Sequence, residues 1–576
     1  MMTIRENYEK WLKDFAADED TVRELEAIRN DEKEVEDRFY TELSFGTAGM
    51  RGVLGAGMNR MNKYNVRRAT KGLAGYLLEK PEEASRGVVI AYDSRRCSPE
   101  FAKDTALVLC HEGVPAFLFD ALRPVPVLSY AVRHLHAAAG VVITASHNPP
   151  QYNGYKVYWE DGAQVTSPRD KDIISYVKDV TDYHTVKTMD KAEAIAKGLY
   201  IQTGKEIDDA FMAELKKQII HPEVIKEMGK ELTIVYTPFN GTGNVPARRI
   251  LKELGFENVV VVPEQEMPDP NFTTLEYPNP EDPKAFTLAL KLAKEVKADV
   301  VLATDPDADR LGIYAYDTKS GEYVSFTGNM SGMLIAEYIL RERTKLGLMP
   351  ENPALVKTIV TTNMADVICK AYNVKEVEVL TGFKYIGEQI KWFIEKGTNN
   401  YVFGLEESYG CLAGTHARDK DAIVAVMCLC EVAAYCKKQG ITVWDMMLDM
   451  YEKYGYYKED LYTITMKGKE GSEQIAAIME NLRANPPKEF GAWKVLAMRD
   501  YTKDERIDIA TGEKSSTGLP YSNVLYFELS DDAWCCARPS GTEPKIKFYM
   551  GVKGESLEDA KTKVAELTDA LKSKLA

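Results

Sequence analysis

No stretch of this sequence approaches the about 18 consecutive apolar residues that a membrane-spanning helix requires. The opening M-M-T-I-R-E-N-Y-E-K is charged and has no apolar core, so no secretory leader is expected there. Nine cysteines occur without any C-x-x-C spacing. That argues against a zinc cluster or a disulfide framework and for buried, reduced thiols, as in a cytoplasmic protein. G-K-[ST] is missing, so there is no Walker A loop and ATP is not the expected donor. Gly241-Thr242-Gly243 begins like a dinucleotide fingerprint but holds Pro246 where the third glycine belongs. Positive charge is scarce too: 73 Lys and Arg face 88 Asp and Glu, a formal net charge of -15. Nucleic acid and anionic membranes are therefore not expected partners, and basic residues inside motifs gain weight. No Pro-rich or Gly/Ser-rich linker interrupts the 576 residues, so several closely packed domains are expected.

What is present is a loose threefold repeat. Each copy runs through a helical pattern and a short apolar strand into a sharply polar cluster. V-P-V-L-S-Y-A-V-R-H-L leads to Val141-Val142-Ile143 and then T-A-S-H-N-P. Phe286, Ala289, Leu290, Ala293 and Val296 share a helix face before Val300-Val301-Leu302 and D-P-D-A-D-R. Y-I-G-E-Q-I-K-W-F-I-E-K precedes Tyr401-Val402-Phe403 and G-L-E-E-S. Earlier runs at Val88-Val89-Ile90, Leu232-Thr233-Ile234-Val235 and Lys357-Thr358-Ile359-Val360 supply the first strand of each copy. Strands alternating with helices predict buried, largely parallel sheets, whose ligands sit beyond the carboxyl ends of the strands. All three polar clusters fall at such ends. After about Tyr454 the pattern becomes a smaller α+β module, and residues 5 to 40 read as one acidic helix, an N-terminal extension expected to pack on the first domain.

Asp305, Asp307 and Asp309 are the clearest metal signal. On an extended backbone alternate residues point the same way, so three carboxylates can meet one hard cation, with magnesium the default. An EF-hand is excluded by Arg310 and Tyr316 at its sixth and twelfth positions. Ser146, after a buried strand and before Pro149 and Pro150, can attack a phosphoryl group and hold it as a monoester. His147 follows it directly, so in an extended segment the two side chains point apart and His147 contacts phosphate or relays a proton. Lys156 in Y-N-G-Y-K-V-Y can pair with phosphate or, desolvated, move a proton. Glu406, Glu407 and Ser408 suit the vicinal hydroxyls of a sugar. Arg538, Ser540, Gly541 and Thr542 in R-P-S-G-T-E-P combine the donors a phosphate needs, and Arg51 in F-G-T-A-G-M-R-G repeats the theme.

In this order, the four motifs resemble the α-D-phosphohexomutase superfamily over nearly the whole chain. The resemblance implies an α/β fold: three similar mixed or parallel-sheet α/β domains plus a C-terminal α+β domain around a central cleft. The expected segments are 1–205, 206–322, 323–454 and 455–576, each contributing one loop. Ser146 is then the phosphoserine, sharing Mg2+ with Asp305, Asp307 and Asp309. His147 and Lys156 become the acid/base candidates, with Arg51 near the transferred phosphoryl. Arg310, Glu406, Glu407 and Ser408 are expected to hold the sugar. Arg538, Ser540, Gly541 and Thr542 clamp its other phosphate, assisted by Lys384. The implied substrate is a small sugar phosphate, with glucose 1,6-bisphosphate as intermediate and activator. The E-E-S form resembles phosphoglucomutases more than mannose- or glucosamine-specific relatives, and also members acting on pentose phosphates. A phosphoserine hydrolase would not need the second phosphate clamp, and a non-catalytic sensor would need neither nucleophile nor metal ligands. Two departures stand out: Pro306 and Ala308 replace glycines common in the metal loop, and Leu405 separates Gly404 from Glu406.

Overall fold

The computed structural model describes residues 3–45, 49–466, 468–540 and 545–575. Runs that are apolar at nearly every position form strands covered on both faces, as parallel sheets demand. The first sheet contains β1 (Gly49–Val53), β2 (Val88–Tyr92), β3 (Ala116–Phe119), β4 (Ala139–Ile143), β5 (Tyr152–Trp159) and β6 (Tyr200–Thr203). Its spatial order is β1-β5-β4-β2-β3-β6. β4, β2, β3 and β6 run parallel, while β5 lies antiparallel to β4 and β1. The second sheet contains β7 (Thr233–Thr237), β8 (Asn258–Val261), β9 (Val300–Thr304), β10 (Leu311–Asp317) and β11 (Glu322–Phe326), ordered β11-β10-β9-β7-β8. β9, β7 and β8 run parallel, β10 lies antiparallel to β9, and β11 lies antiparallel to β10.

In the third repeat, β12 (Pro353–Thr358) lies between β13 (Lys375–Val379) and β14 (Asn400–Glu406), parallel to both. β15 (Gly410–Ala413) follows in the chain. The threefold repeat is thus real in three dimensions. In each sheet the first strand of the copy is central, flanked by the third and second: β4-β2-β3, β9-β7-β8, β14-β12-β13. The chain therefore leaves the third strand of every copy beside the central one, where an open α/β sheet binds its ligands.

The C-terminal sheet is antiparallel throughout. It contains β16 (Tyr456–Thr465), β17 (Glu489–Phe490), β18 (Trp493–Asp500), β19 (Glu505–Asp508), β20 (Lys514–Ser515), β21 (Leu525–Leu529), β22 (Trp534–Pro539) and β23 (Lys545–Gly554). Its core takes alternate residues such as Phe527, Cys535, Phe548 and Met550, together with Leu567 and Leu571 of the last helix.

The chain divides into two compact units: residues 1–326, 387–392 and 409–440 form one, and 327–386, 393–408 and 441–576 the other. Within the second unit, Ile359, Val360 and Leu380 share an apolar core with Tyr526, Trp534 and Tyr549. Arg499 also reaches Glu378 at 2.8 Å. The C-terminal sheet is thereby packed on the loops that leave β12 and β13.

Some expectations need correction. Residues 5 to 40 are not one helix but three, Ile4–Asp14, Glu19–Ala27 and Glu32–Phe39. Each has its own start: Thr3 and Glu6 form a capping box, and Asp31 accepts from the backbone N–H groups of Lys33 and Glu34. They bury Tyr8, Trp11, Phe15 and Phe39 in a small aromatic core. Eight cysteines are buried thiols as expected, but Cys97 is exposed. Among the described residues no helix is long and apolar enough to cross a membrane.

Candidate active site

β4 ends at Ile143, and the chain turns so sharply that Ser146 adopts a φ of 53°, a left-handed backbone uncommon outside glycine. The Ser146 N–H donates to Thr144 Oγ1 at 2.8 Å. Its hydroxyl, buried at 3% exposure, donates to Asp305 Oδ2 at 2.9 Å. The turn also overturns the expectation for His147. Because the segment is not extended, His147 Nδ1 lies 3.3 Å from Ser146 Oγ instead of pointing away. Burial, then the charges of Arg310 and Arg51, hold the His147 imidazolium well below its usual range. Gly154 of β5 makes room for this loop, since a Cβ there would meet Thr144 O at 2.5 Å.

The three aspartates converge, but by a different route from the one expected. Residues 305–310 are a turn, not an extended strand, and Ala308 sits at φ 48°. The turn is pinned from outside: Thr242 N–H and Oγ1–H donate to Pro306 O, Val125 N–H to Asp307 O, and Ala422 N–H to Ala308 O. Gly241 and Gly243, which failed as a dinucleotide motif, allow this approach, because a Cβ on Gly241 would meet Pro306 Cα at 2.4 Å. One ligand oxygen from each of Asp305, Asp307 and Asp309 lies within 4.8 Å of the others.

Lys156 Nζ bonds Asp307 at 2.9 Å, and Lys420 Nζ reaches Asp309 at 3.1 Å. Burial and the two neighbouring carboxylates push Asp305 well above the usual carboxylate range. Asp309 is also raised, by burial and by Asp307. Burial acts upward most strongly on Asp307 as well, but Lys156, Asp305 and Lys420 together hold that carboxyl below its usual range. Asp307 Oδ1 and Asp309 Oδ1 are buried with no hydrogen-bond partner. Oxygen donors this close, charge-rich and partly orphaned fit a hard dication such as magnesium. Arg310 caps the loop by pairing with Glu281 at 2.7 Å, and Arg51 donates to Asn148 Oδ1 at 3.0 Å.

The second unit holds another cluster. β14 ends at Glu406, buried at 5% exposure, and Ser408 Oγ donates to Glu406 Oε1 at 2.9 Å. Glu407 accepts from Thr358 Oγ1, at the end of β12, at 3.1 Å. The charges of Glu406 and of Arg538, on β22, both act on the Glu407 carboxyl. Lys384 is the second residue of the helix Phe383–Lys396, beyond β13, with its ammonium 5.0 Å from the Tyr385 ring centre. Ser540 N–H donates to Lys545 O at 2.7 Å, closing the base of the R-P-S-G-T-E-P loop. Gly541 and Thr542 lie outside the described residues.

Burial, and then Glu406, raise Glu407 to about 7. A raised carboxyl favours the neutral form in the folded state. The penalty is absent below the ordinary value of 4.5, grows as pH rises and is complete above about 7. Glu407→Gln is therefore expected to be more stable than the parent near pH 8, by on the order of 1–3 kcal/mol. Near pH 4.5 the two should match, and melting curves at both pH values check the sign.

Two contributors escaped the sequence reading. Arg95, after β2, donates to backbone carbonyls of the Ser146 loop. Lys420 belongs to Arg418-Asp419-Lys420-Asp421, where Tyr158 Oη–H donates to Asp419 at 2.7 Å. In sequence these are four charges at the edge of an apolar run; the structure shows that all are at most 8% exposed.

Comparison with known proteins agrees. Family models described as phosphoglucomutase/phosphomannomutase α/β/α domains I, II and III match residues 42–184, 209–318 and 327–454. A phosphoglucomutase from Staphylococcus aureus (strain bovine RF122 / ET3-1) is 36% identical over 92% of this chain and 93% of its own. A Thermus thermophilus protein described as a phosphomannomutase shares the fold, with TM-score 0.68 and 22% identity, over 93% of this chain and 99% of its own. So does the Paramecium phosphoglucomutase pp63/parafusin in its open form, at 0.66 and 16%, over 92% and 96%. The chain belongs to the phosphoglucomutase/phosphomannomutase family, and is a mutase.

Proposed function

We propose that this mutase interconverts glucose 1-phosphate and glucose 6-phosphate through phosphorylated Ser146 and glucose 1,6-bisphosphate, in the cytoplasm. The observation that carries the reading is the buried Ser146 hydroxyl bonded to Asp305, one of three converging carboxylates. In the first half-reaction the free sugar hydroxyl bonds to phosphorus as the Ser146 Oγ–P bond breaks, giving the bisphosphate. The hydroxyl gives its proton to a base and the departing serine oxygen gains one. The second half-reaction is the reverse, from the other end of the sugar. His147, close to Oγ, is placed to serve the serine oxygen, while Lys156 balances charge at Asp307. Magnesium held by Asp305, Asp307, Asp309 and the seryl oxygen would offset charge on the transferring group.

The sugar is assigned to Glu406, Glu407, Ser408 and Arg310. Arg538, Ser540, Gly541 and Thr542, with Lys384, take the phosphate that is not reacting. One loop from each of the segments 1–205, 206–322, 323–454 and 455–576 then serves a substrate that must present either end. Arg538→Ala is expected to raise KM for glucose 1-phosphate by roughly 10–100-fold, the loss of a charge-assisted contact, with a smaller change in kcat. Initial rates over a range of sugar phosphate check it; an unchanged KM contradicts the clamp.

Phosphorus NMR with glucose 1-phosphate, magnesium and a trace of glucose 1,6-bisphosphate tests the reading. Growth of glucose 6-phosphate without free phosphate supports it. Release of inorganic phosphate contradicts it, and faster turnover of mannose or pentose phosphates reassigns the sugar.

A further inference from the structure

Arg95 is a fully buried guanidinium beneath the loop that carries Ser146. Its Nη2 donates to the carbonyls of Ser146 and Asn148, and its Nη1 to those of Pro149 at 2.9 Å and Tyr152 at 3.2 Å. Four carbonyls of one turn therefore face a single side chain. The loop has little means of holding itself, since Pro149 and Pro150 lack N–H groups. Its described internal backbone bonds are Asn148 to Ala145 and Tyr152 to Pro149, both 3.1 Å.

Asp93 and Phe272 lie against the guanidinium. Asp93 Oδ1 accepts from the Arg95 backbone N–H at 3.0 Å and from Ser98 Oγ–H at 2.7 Å, while its Oδ2 makes an ion-pair contact with Arg95 Nε at 3.3 Å without a hydrogen bond. The Phe272 ring centre is 5.0 Å away.

A buried ion pair is weak evidence for stability, because apolar side chains fill such a space at lower desolvation cost. What Arg95 provides is directional. It gathers the carbonyls of Ser146, Asn148, Pro149 and Tyr152 onto one group, while Ser146 Oγ is held separately by Asp305. It also restrains the left-handed Ser146 backbone, a state that persists only where its surroundings over-determine it.

We propose that Arg95 is the positioning residue of the phosphoryl-carrying loop, setting the aim of Ser146 Oγ. The inference rests on Ser146 being the carrier. Lysine retains the charge but not the planar fork that spans four carbonyls. Arg95→Lys is therefore expected to lower kcat by about 100-fold, as a small misplacement of reacting groups does. KM should hold and the phosphoserine 31P resonance should shift. Asp93→Asn, which leaves Arg95 in place but loosens it, should give a smaller fall of the same kind. Guanidinium ion added to Arg95→Ala should restore part of the lost rate.

Peptide mapping of the wild-type protein after labelling with glucose 1,6-bisphosphate separates the two ideas. Label absent from wild-type Ser146 overturns the carrier and this proposal together. Label present, with Arg95→Lys and Asp93→Asn both at wild-type kcat, overturns this proposal alone. So does a loss that merely tracks the unfolded fraction, with the competent sites counted by phosphoryl burst turning over at the wild-type rate.

Discussion

Ser146→Ala is expected to lower kcat by at least about four orders of magnitude, as removal of a nucleophile does when no other group can replace it. The Ser146 hydroxyl is buried and donates to Asp305, while the Ser146 carbonyl accepts from Arg95. Losing one oxygen creates almost no cavity, so the melting temperature should change little. Binding of sugar phosphate should persist, because Ser146 is not among the residues assigned to the sugar and the clamp. Steady-state kinetics with a calorimetric control tests both halves. Substantial mutase activity in the variant would contradict the assignment of the carrier.

Removing the metal should be nearly as damaging, and Asp309→Asn should separate its effect on rate from its effect on stability. A bound divalent ion is worth several kcal/mol to a phosphoryl transition state, so chelation is expected to cost about 10³-fold in kcat, restored by added magnesium. Three buried carboxylates within 4.8 Å repel one another, and Lys156 and Lys420 offset only part of that charge. Asp309→Asn relieves the repulsion, so the metal-free variant should melt above the metal-free parent while losing most of its activity. Magnesium should raise the parent's melting temperature more than the variant's. If Asp309→Asn turned over normally at ordinary magnesium, the ligand assignment would be wrong.

The elements that sequence periodicity exposes were legible. V-V-I-A-Y and A-G-V-V-I are apolar at every position, and only strands buried on both faces need that. The threefold repeat followed because each copy repeats the same strand and the same polar exit. Backbone direction was not legible. Ser146 and Ala308 both adopt positive φ, which composition alone does not announce in a non-glycine residue, so the serine-histidine contact was missed. For the same reason the aspartates converge through a turn and not along a strand. Arg95 and Lys420 were hidden differently. Their partners are 51 and 111 residues away in the chain, Ser146 and Asp309, and only the fold brings them together. The three N-terminal helices were in view, since the Thr3–Glu6 box and Asp31 mark fresh starts, but their shared acidity masked the breaks.

The central claim is that Ser146 carries the phosphoryl group between the two ends of a sugar. The most direct measurement is to load the protein with glucose 1,6-bisphosphate labelled in its phosphates, isolate it, and map the label. A chase with unlabelled glucose 1-phosphate follows. The account predicts label confined to Ser146 and released into sugar bisphosphate at a rate at least equal to kcat. Label on another residue, or label released only as inorganic phosphate, would contradict it.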